Sequence, residues 1–175
     1  MQDPSASIYV YNKEGGIIGA KRRDAVIMHT DIVKIANILL FKVNSAQTFI
    51  TNPYDSLWSD KWEGAAIGMK RENEMLYTTA SYALMRELDM EETLDIVNIQ
   101  YHVLDNVKFH MGVYIVKTNR LPTIDSRNIK EAKWASMLEL DDLIQKNECT
   151  PTLQAAIYTY NVWTQLDAIE SRLRP

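Results

Sequence analysis

The sequence predicts a mixed α/β fold, and three observations predict it. Hydrophobic patterns of period two and period 3.6 alternate along the chain, as they do where strands and helices share one core. Of 175 residues, 46% are hydrophobic and 24% charged, the balance of a packed domain. That length fills one core and is short for two, so residues 1–175 read as a single domain.

The elements follow in order. Residues 7–11 and 17–20 read as a hairpin across Lys13-Glu14-Gly15-Gly16, since paired glycines supply the positive φ of a tight turn; the N-terminal hairpin spans residues 7–20. A basic run, Lys21-Arg22-Arg23, comes next. Residues 35–43, rich in Ile, Leu and Phe, and residues 48–51 form a second hairpin at the sheet centre. Residues 52–61 read as an irregular loop with an aromatic anchor. Residues 62–69 are expected as a strand of small residues, 70–74 as a polar turn and 75–91 as an amphipathic helix carrying Leu76, Ala80, Ala83, Leu84 and Leu88 on one face. Strands at 96–104 and 109–117 meet at Asp105-Asn106, a short strand within 129–137 centres on Trp134, and residues 139–146 form a short helix. The last helix, 151–173, starts with Thr150 as N-cap and Pro151 at the first helical position; Leu153, Ile157, Tyr160 and Leu166 mark its buried side, and Arg172 and Arg174 its basic end.

Composition excludes several functions. With 19 Lys and Arg against 23 Asp and Glu, the net charge of −4 gives no bulk attraction to nucleic acid, so no DNA partner is expected. The longest apolar stretch is interrupted by Asn37 and Lys42, and the first ten residues lack an export pattern, so neither membrane insertion nor secretion is expected. Cys149 is the only cysteine, which rules out an intrachain disulfide or a cysteine-based zinc cluster and fits a reducing, cytoplasmic setting. It precedes a helix start, where a thiol pKa can fall, but no histidine lies near it in sequence, and it reads as structural.

The chemistry concentrates in residues 68–94. On a helix spanning 75–91, Glu87 and Glu91 stand one turn apart on one face and can share a hard cation. Their context is Gly68-Met69-Lys70-Arg71-Glu72-Asn73-Glu74, then Arg86-Glu87-Leu88-Asp89-Met90-Glu91-Glu92-Thr93-Leu94. This resembles the Nudix box, G-x5-E-x7-R-E-U-x-E-E-x-G-U with U aliphatic, through Gly68, Glu74, Arg86, Glu87, Leu88, Glu91 and Leu94. The resemblance extends over roughly residues 8–163 and is closest to the branch similar to isopentenyl-diphosphate isomerases. It implies a Nudix-like α/β/α sandwich, a mixed sheet between helices with the box helix on one face.

The box departs from the motif. Eleven residues separate Glu74 from Arg86 where the motif has seven; without a gap at that helix, Thr78 falls at the acidic position. Met90 replaces a glutamate, Thr93 the glycine, and Asn128 stands where this branch often has an acid, leaving Glu131 as the nearest substitute. A thioether is no magnesium ligand. The isomerases' cysteine and histidine flank a glycine that here sits in Ile67-Gly68-Met69, so isomerase activity is rejected, and His29 reads as a surface residue.

The resemblance implies divalent-metal-dependent hydrolysis of a diphosphate bond in a nucleoside diphosphate linked to another group. In that reading Glu87, Glu91 and Glu74 hold Mg²⁺ or Mn²⁺, Arg86 orients a carboxylate, and Glu131 completes the catalytic set. Lys70, Arg71 and Arg22, with Lys21 and Arg23, are the basic residues for phosphate, and Trp58, with Trp62 and Tyr54, the aromatic ones for a base. The departures support an alternative, a degenerate domain that binds a nucleotide, RNA or protein partner without turnover. His102 and His110, beside the Asp105-Asn106 turn, read as structural strand histidines. A homodimer through the aromatic C-terminal helix, with Tyr158, Tyr160 and Trp163, is a third reading.

Overall fold

The computed structural model describes residues 3–54, 58 and 60–173, with side chains described up to residue 169. Strands β1 (Ser7–Tyr11) and β2 (Ile17–Arg22) pair antiparallel as a separate two-stranded sheet. Gly15 takes φ 85°, and the Asn12 side chain accepts a 2.7 Å hydrogen bond from the Gly16 N–H, which closes the turn. A short 3-10 turn, Arg23–Ala25, leads into the main sheet.

That sheet has six strands: β3 (Val33–Lys42), β4 (Gln47–Pro53), β5 (Ala66–Met69), β6 (Asp95–Leu104), β7 (Val107–Thr118) and β8 (Ile129–Ser136). Their order is β6-β7-β3-β4-β8, and β5 pairs with the first half of β3. β3 and β7 run parallel from Val33 beside Phe109 to Lys42 beside Thr118; the other pairs are antiparallel. The sheet is therefore mixed, and three helices cover it: α1 (Leu76–Leu88), α2 (Met137–Gln145) and α3 (Pro151–Leu173).

The alternation of β3 divides the core in two. Ala36, Ile38 and Leu40 face Leu76, Ala80, Ala83, Leu84 and Leu88 of α1. Ile35, Leu39 and Phe41 face Leu140 and Leu143 of α2 and Leu153, Ala156 and Ile157 of α3. Burying a leucine such as Leu84 or Leu88 contributes about 1.5–3 kcal/mol, and this fixes α1 on its face of the sheet.

Most expected elements are present with shifted ends. The strand expected over 62–69 shortens to Ala66–Met69, because Trp62 and Glu63 turn away to bridge Cys149 and Thr51. Gly64 then lies so close to the Asn37 side chain that a Cβ there would meet its Oδ1 at 2.2 Å. The helix expected over 75–91 ends at Leu88: Asp89 takes a left-handed conformation, φ 50°, and donates its N–H to the Met85 carbonyl. Glu91 is exposed beyond that end, so the one-face pair with Glu87 does not form. The short helix starts at Met137, where the Ser136 side chain caps Glu139 N–H, rather than at 139. Leu166, expected on the buried side of α3, is exposed. Of the loop 52–61, residues 55–57 and 59 lie outside the described residues, as do Arg174 and the side chain of Arg172.

Candidate functional site

A cleft of about 270 Å³ opens between the end of β5, the turn after it and the outer face of α1. Gly68 and Met69 of β5, Arg71 and Glu74 of the turn, and Thr79, Tyr82, Met85 and Arg86 of α1 line it. Three local features build the cleft. Gly68 lets strand and helix approach, since a Cβ there would stand 2.8 Å from Thr79 Cγ2 and 3.1 Å from the Thr79 carbonyl. The turn reverses at Asn73, with φ 58°. On α1, Thr79, Tyr82 and Arg86 recur at steps of three and four and so share a face.

The charged groups are tied down. Glu74 Oε2 accepts from the Thr79 hydroxyl at 2.8 Å and from the Arg71 N–H at 3.2 Å. Arg86 Nη2 donates to Glu87 Oε1 and, at 3.3 Å, to the Ile67 carbonyl. Glu87 Oε2 accepts from the Ile67 N–H at 3.3 Å, so strand and helix are laced by one ion pair. Burial pushes the Glu87 carboxyl above its ordinary range, and the charge and hydrogen bond of Arg86 oppose that shift. Arg71, whose side chain makes no ion pair among the described residues, lines the cleft together with Arg86.

Of the residues expected at the site, Arg71, Arg86 and Glu74 line the cleft and Glu87 backs it. Lys70 lies just outside it, over the Tyr9 ring; its pKa is lowered by burial and by nearby Lys34. Arg22 is paired with Asp24, and Lys21 with Asp31 at 2.7 Å, so local carboxylates already neutralise both. Trp58 packs against the core beside α2 and α3. Glu131 is exposed on β8, opposite Asn52 of β4, and is not part of the cleft. Thr79, Tyr82 and Met85 were not anticipated, although their helical spacing from Arg86 was a readable signal. His102 and His110 do not converge on a ligand set: His110 contacts the Asn12 carbonyl at 3.0 Å and His102 stacks on Phe109. The Cys149 thiol, fully buried, is pushed up to about 12 by desolvation and by the neighbouring Glu148 charge, which opposes any activation.

No family model matches the sequence, and no curated protein matches it significantly. Solved structures do. The protein DR0079 from Deinococcus radiodurans superposes with a TM-score of 0.72 at 16% identity, covering 89% of this chain and 98% of that one. A Nudix hydrolase from Nitrosomonas europaea gives 0.59 at 12% identity, covering 75% and 89%. The Nudix domain of Shewanella oneidensis NrtR, complexed with ADP ribose, gives 0.53 at 12% identity, covering 74% and 87%. The chain has the Nudix fold.

Within that fold the end of α1 permits a second alignment of the motif, one without insertion. The motif's last glycine is matched by Asp89, the left-handed residue that stops the helix, at the motif's own distance from Gly68 and Glu74 and with no insertion. Counted that way, Tyr82 and Ala83 fall at the motif's Arg-Glu, Arg86 and Glu87 at its adjacent glutamate pair, and buried Met90 at its closing aliphatic position. The expected placement of Glu87 and Glu91 on one helix face is corrected: Glu87 lies in the last turn of α1 and Glu91 beyond its end. The physical reason is that the helix ends a turn earlier than the hydrophobic period suggested.

The expected Mg²⁺ or Mn²⁺ ligands Glu74, Glu87 and Glu91 do not gather into one set. Magnesium takes one or two carboxylates with phosphate oxygens and water; here Arg86 and the Ile67 N–H hold both Glu87 oxygens, and Glu91 lies beyond the end of α1, which leaves Glu74 as the carboxylate of the lining. Among the described residues, no three His, Cys, Asp or Glu side chains converge.

Proposed function

We propose that this protein binds a phosphorylated small molecule of nucleotide class in the cleft between β5 and α1, without metal-assisted cleavage. The observation that carries this reading is the Arg86–Glu87 pair on the helix wall, with Arg71 in the same lining. Guanidinium groups bind phosphate through planar, charge-assisted forks. The nucleotide class is supported by the structural neighbours, among them the ADP-ribose complex of the Shewanella domain and a Caenorhabditis elegans Ap4A hydrolase binary complex.

A second reading, metal-dependent hydrolysis of a diphosphate bond in a nucleoside diphosphate linked to another group, is favoured by the fold shared with Nudix hydrolases and by Glu74 and Glu87 at the same wall. One experiment separates the two. Binding and phosphate release are measured over nucleoside triphosphates, dinucleoside polyphosphates, ADP-ribose, nucleotide sugars and capped RNA, with Mg²⁺ or Mn²⁺, beside Glu87→Gln. Saturable binding without release is expected. Release that disappears in Glu87→Gln would establish the hydrolase instead.

A further inference from the structure

We propose that the Arg86 guanidinium is a resident cation of the cleft, so that a phosphate group binds there without any divalent metal. The inference rests on the binding reading above and specifies its chemistry. Three observations carry it.

Arg86 is oriented rather than free. Its Nη2 is fixed between the Ile67 carbonyl on β5 and the Glu87 carboxylate on α1, and its side chain is 27% exposed, so the group is held at the cleft wall and still reaches solvent. An arginine carries five N–H donors in a rigid fork and stays charged at any working pH. Both bonds described for it use Nη2, and among the described residues its Nε and Nη1 donors are open to a ligand.

The cleft wall then carries two guanidiniums, Arg71 and Arg86, with Glu87 paired to Arg86 from behind and Glu74 the one carboxylate in the lining. That carboxylate is turned to the Thr79 hydroxyl and the Arg71 N–H, which lowers its repulsion of an anion. A phosphate group is then met by the Arg71 charge and by the N–H donors of Arg86 that Glu87 leaves open.

Size agrees as well. A cleft of about 270 Å³ lies just below the usual range for drug-sized ligands, so it takes a phosphate or diphosphate end while the rest of the ligand lies outside. Tyr82 is 55% exposed at the rim, where its phenol can donate to a phosphate oxygen.

The test is calorimetric titration of the full chain with inorganic pyrophosphate in EDTA, beside a titration with Mn²⁺ alone read by electron paramagnetic resonance. Wild type is expected to bind pyrophosphate in EDTA and to show no saturable Mn²⁺ site. Arg86→Gln is expected to lose about tenfold or more in pyrophosphate affinity, the usual effect of removing a charged hydrogen-bond donor. Because that change leaves Glu87 unpaired, Arg86→Lys provides a folded control: it keeps the charge, loses the fork, and is expected to weaken binding severalfold. Unchanged affinity in a folded variant overturns the inference, as does pyrophosphate binding that appears only with metal. A metal-dependent signal leaves the binding reading standing, whereas wild type that binds neither pyrophosphate nor any nucleotide of the panel, with or without metal, removes both.

Discussion

Asp89 shows how much one residue decides. A left-handed conformation costs an L-residue about 1–2 kcal/mol, less for Asp or Asn than for most, and Asp89 holds φ 50° to end α1. Asp89→Gly is expected to raise stability by about 0.5–1 kcal/mol, seen as a higher denaturation midpoint; a lower midpoint would mean that its carboxylate does more than stop a helix. The same residue explains a misreading. A glycine would have announced the stop, whereas Asp-Met-Glu-Glu continues the polar face, and the period ran on to Glu91. Arg86 and Glu87 were legible as chemistry, but which motif positions they fill depended on that stop.

His102 carries a pH dependence at the same scale. Its Nε2 is buried without a partner among the described residues, and burial, followed by the charge of His110, holds its pKa below the ordinary histidine value near 6.5. The folded state thus prefers the neutral ring. Its contribution is complete above the unfolded pKa and is lost as pH falls through the folded one. The thermal midpoint is expected to drop on acidification below about pH 6.5, and His102→Phe, which keeps the stack on Phe109, to flatten that drop. An identical profile in the variant would assign the acid sensitivity to another group.

At the level of elements, helix starts were easier to read than helix ends. Thr150-Pro151 announces α3 by local chemistry, and the Thr150 hydroxyl accepts the Leu153 N–H at 3.2 Å as that chemistry requires. Thr150→Ala is expected to cost about 1 kcal/mol, more if the fully buried site leaves a gap, and equilibrium unfolding measures it. Both hairpins and the β6–β7 turn at Asp105-Asn106 were legible for the same reason, since their turn residues sit side by side in sequence. The shortening of β5 was not, because it follows from Trp62 and Glu63 bridging to Cys149 and Thr51, residues distant in sequence. Likewise Lys21 and Arg22 looked available for phosphate only until Asp31 and Asp24 folded against them.

Across the whole molecule, the alternation of patterns identified the class, while strand order is a matter of long-range pairing that no local signal encodes. Cys149 reports on that level. It is fully buried, it sits where the Trp62 bridge joins the sheet side to the start of α3, and its thiol titrates only near 12. A thiol reagent at about pH 8 is expected to modify it slowly in the native protein and rapidly once the chain is unfolded, with a native rate that tracks global opening. Fast native labelling would show that the start of α3 opens on its own.

The parallel pairing of β3 with β7 also has a bearing on synthesis. β3 is complete once residue 42 has been made, yet its parallel neighbour ends at residue 118, after α1 and β6. Emerging from the ribosome, the chain can close its first hairpin early, but the apolar centre of the sheet has to wait until residue 118 has been made. Residues such as Leu39 and Phe41 stay without their final neighbours throughout that interval. Such delayed, distant contacts slow folding and lengthen the exposure of sticky segments, so nascent β3 is the segment most in need of a chaperone's cover.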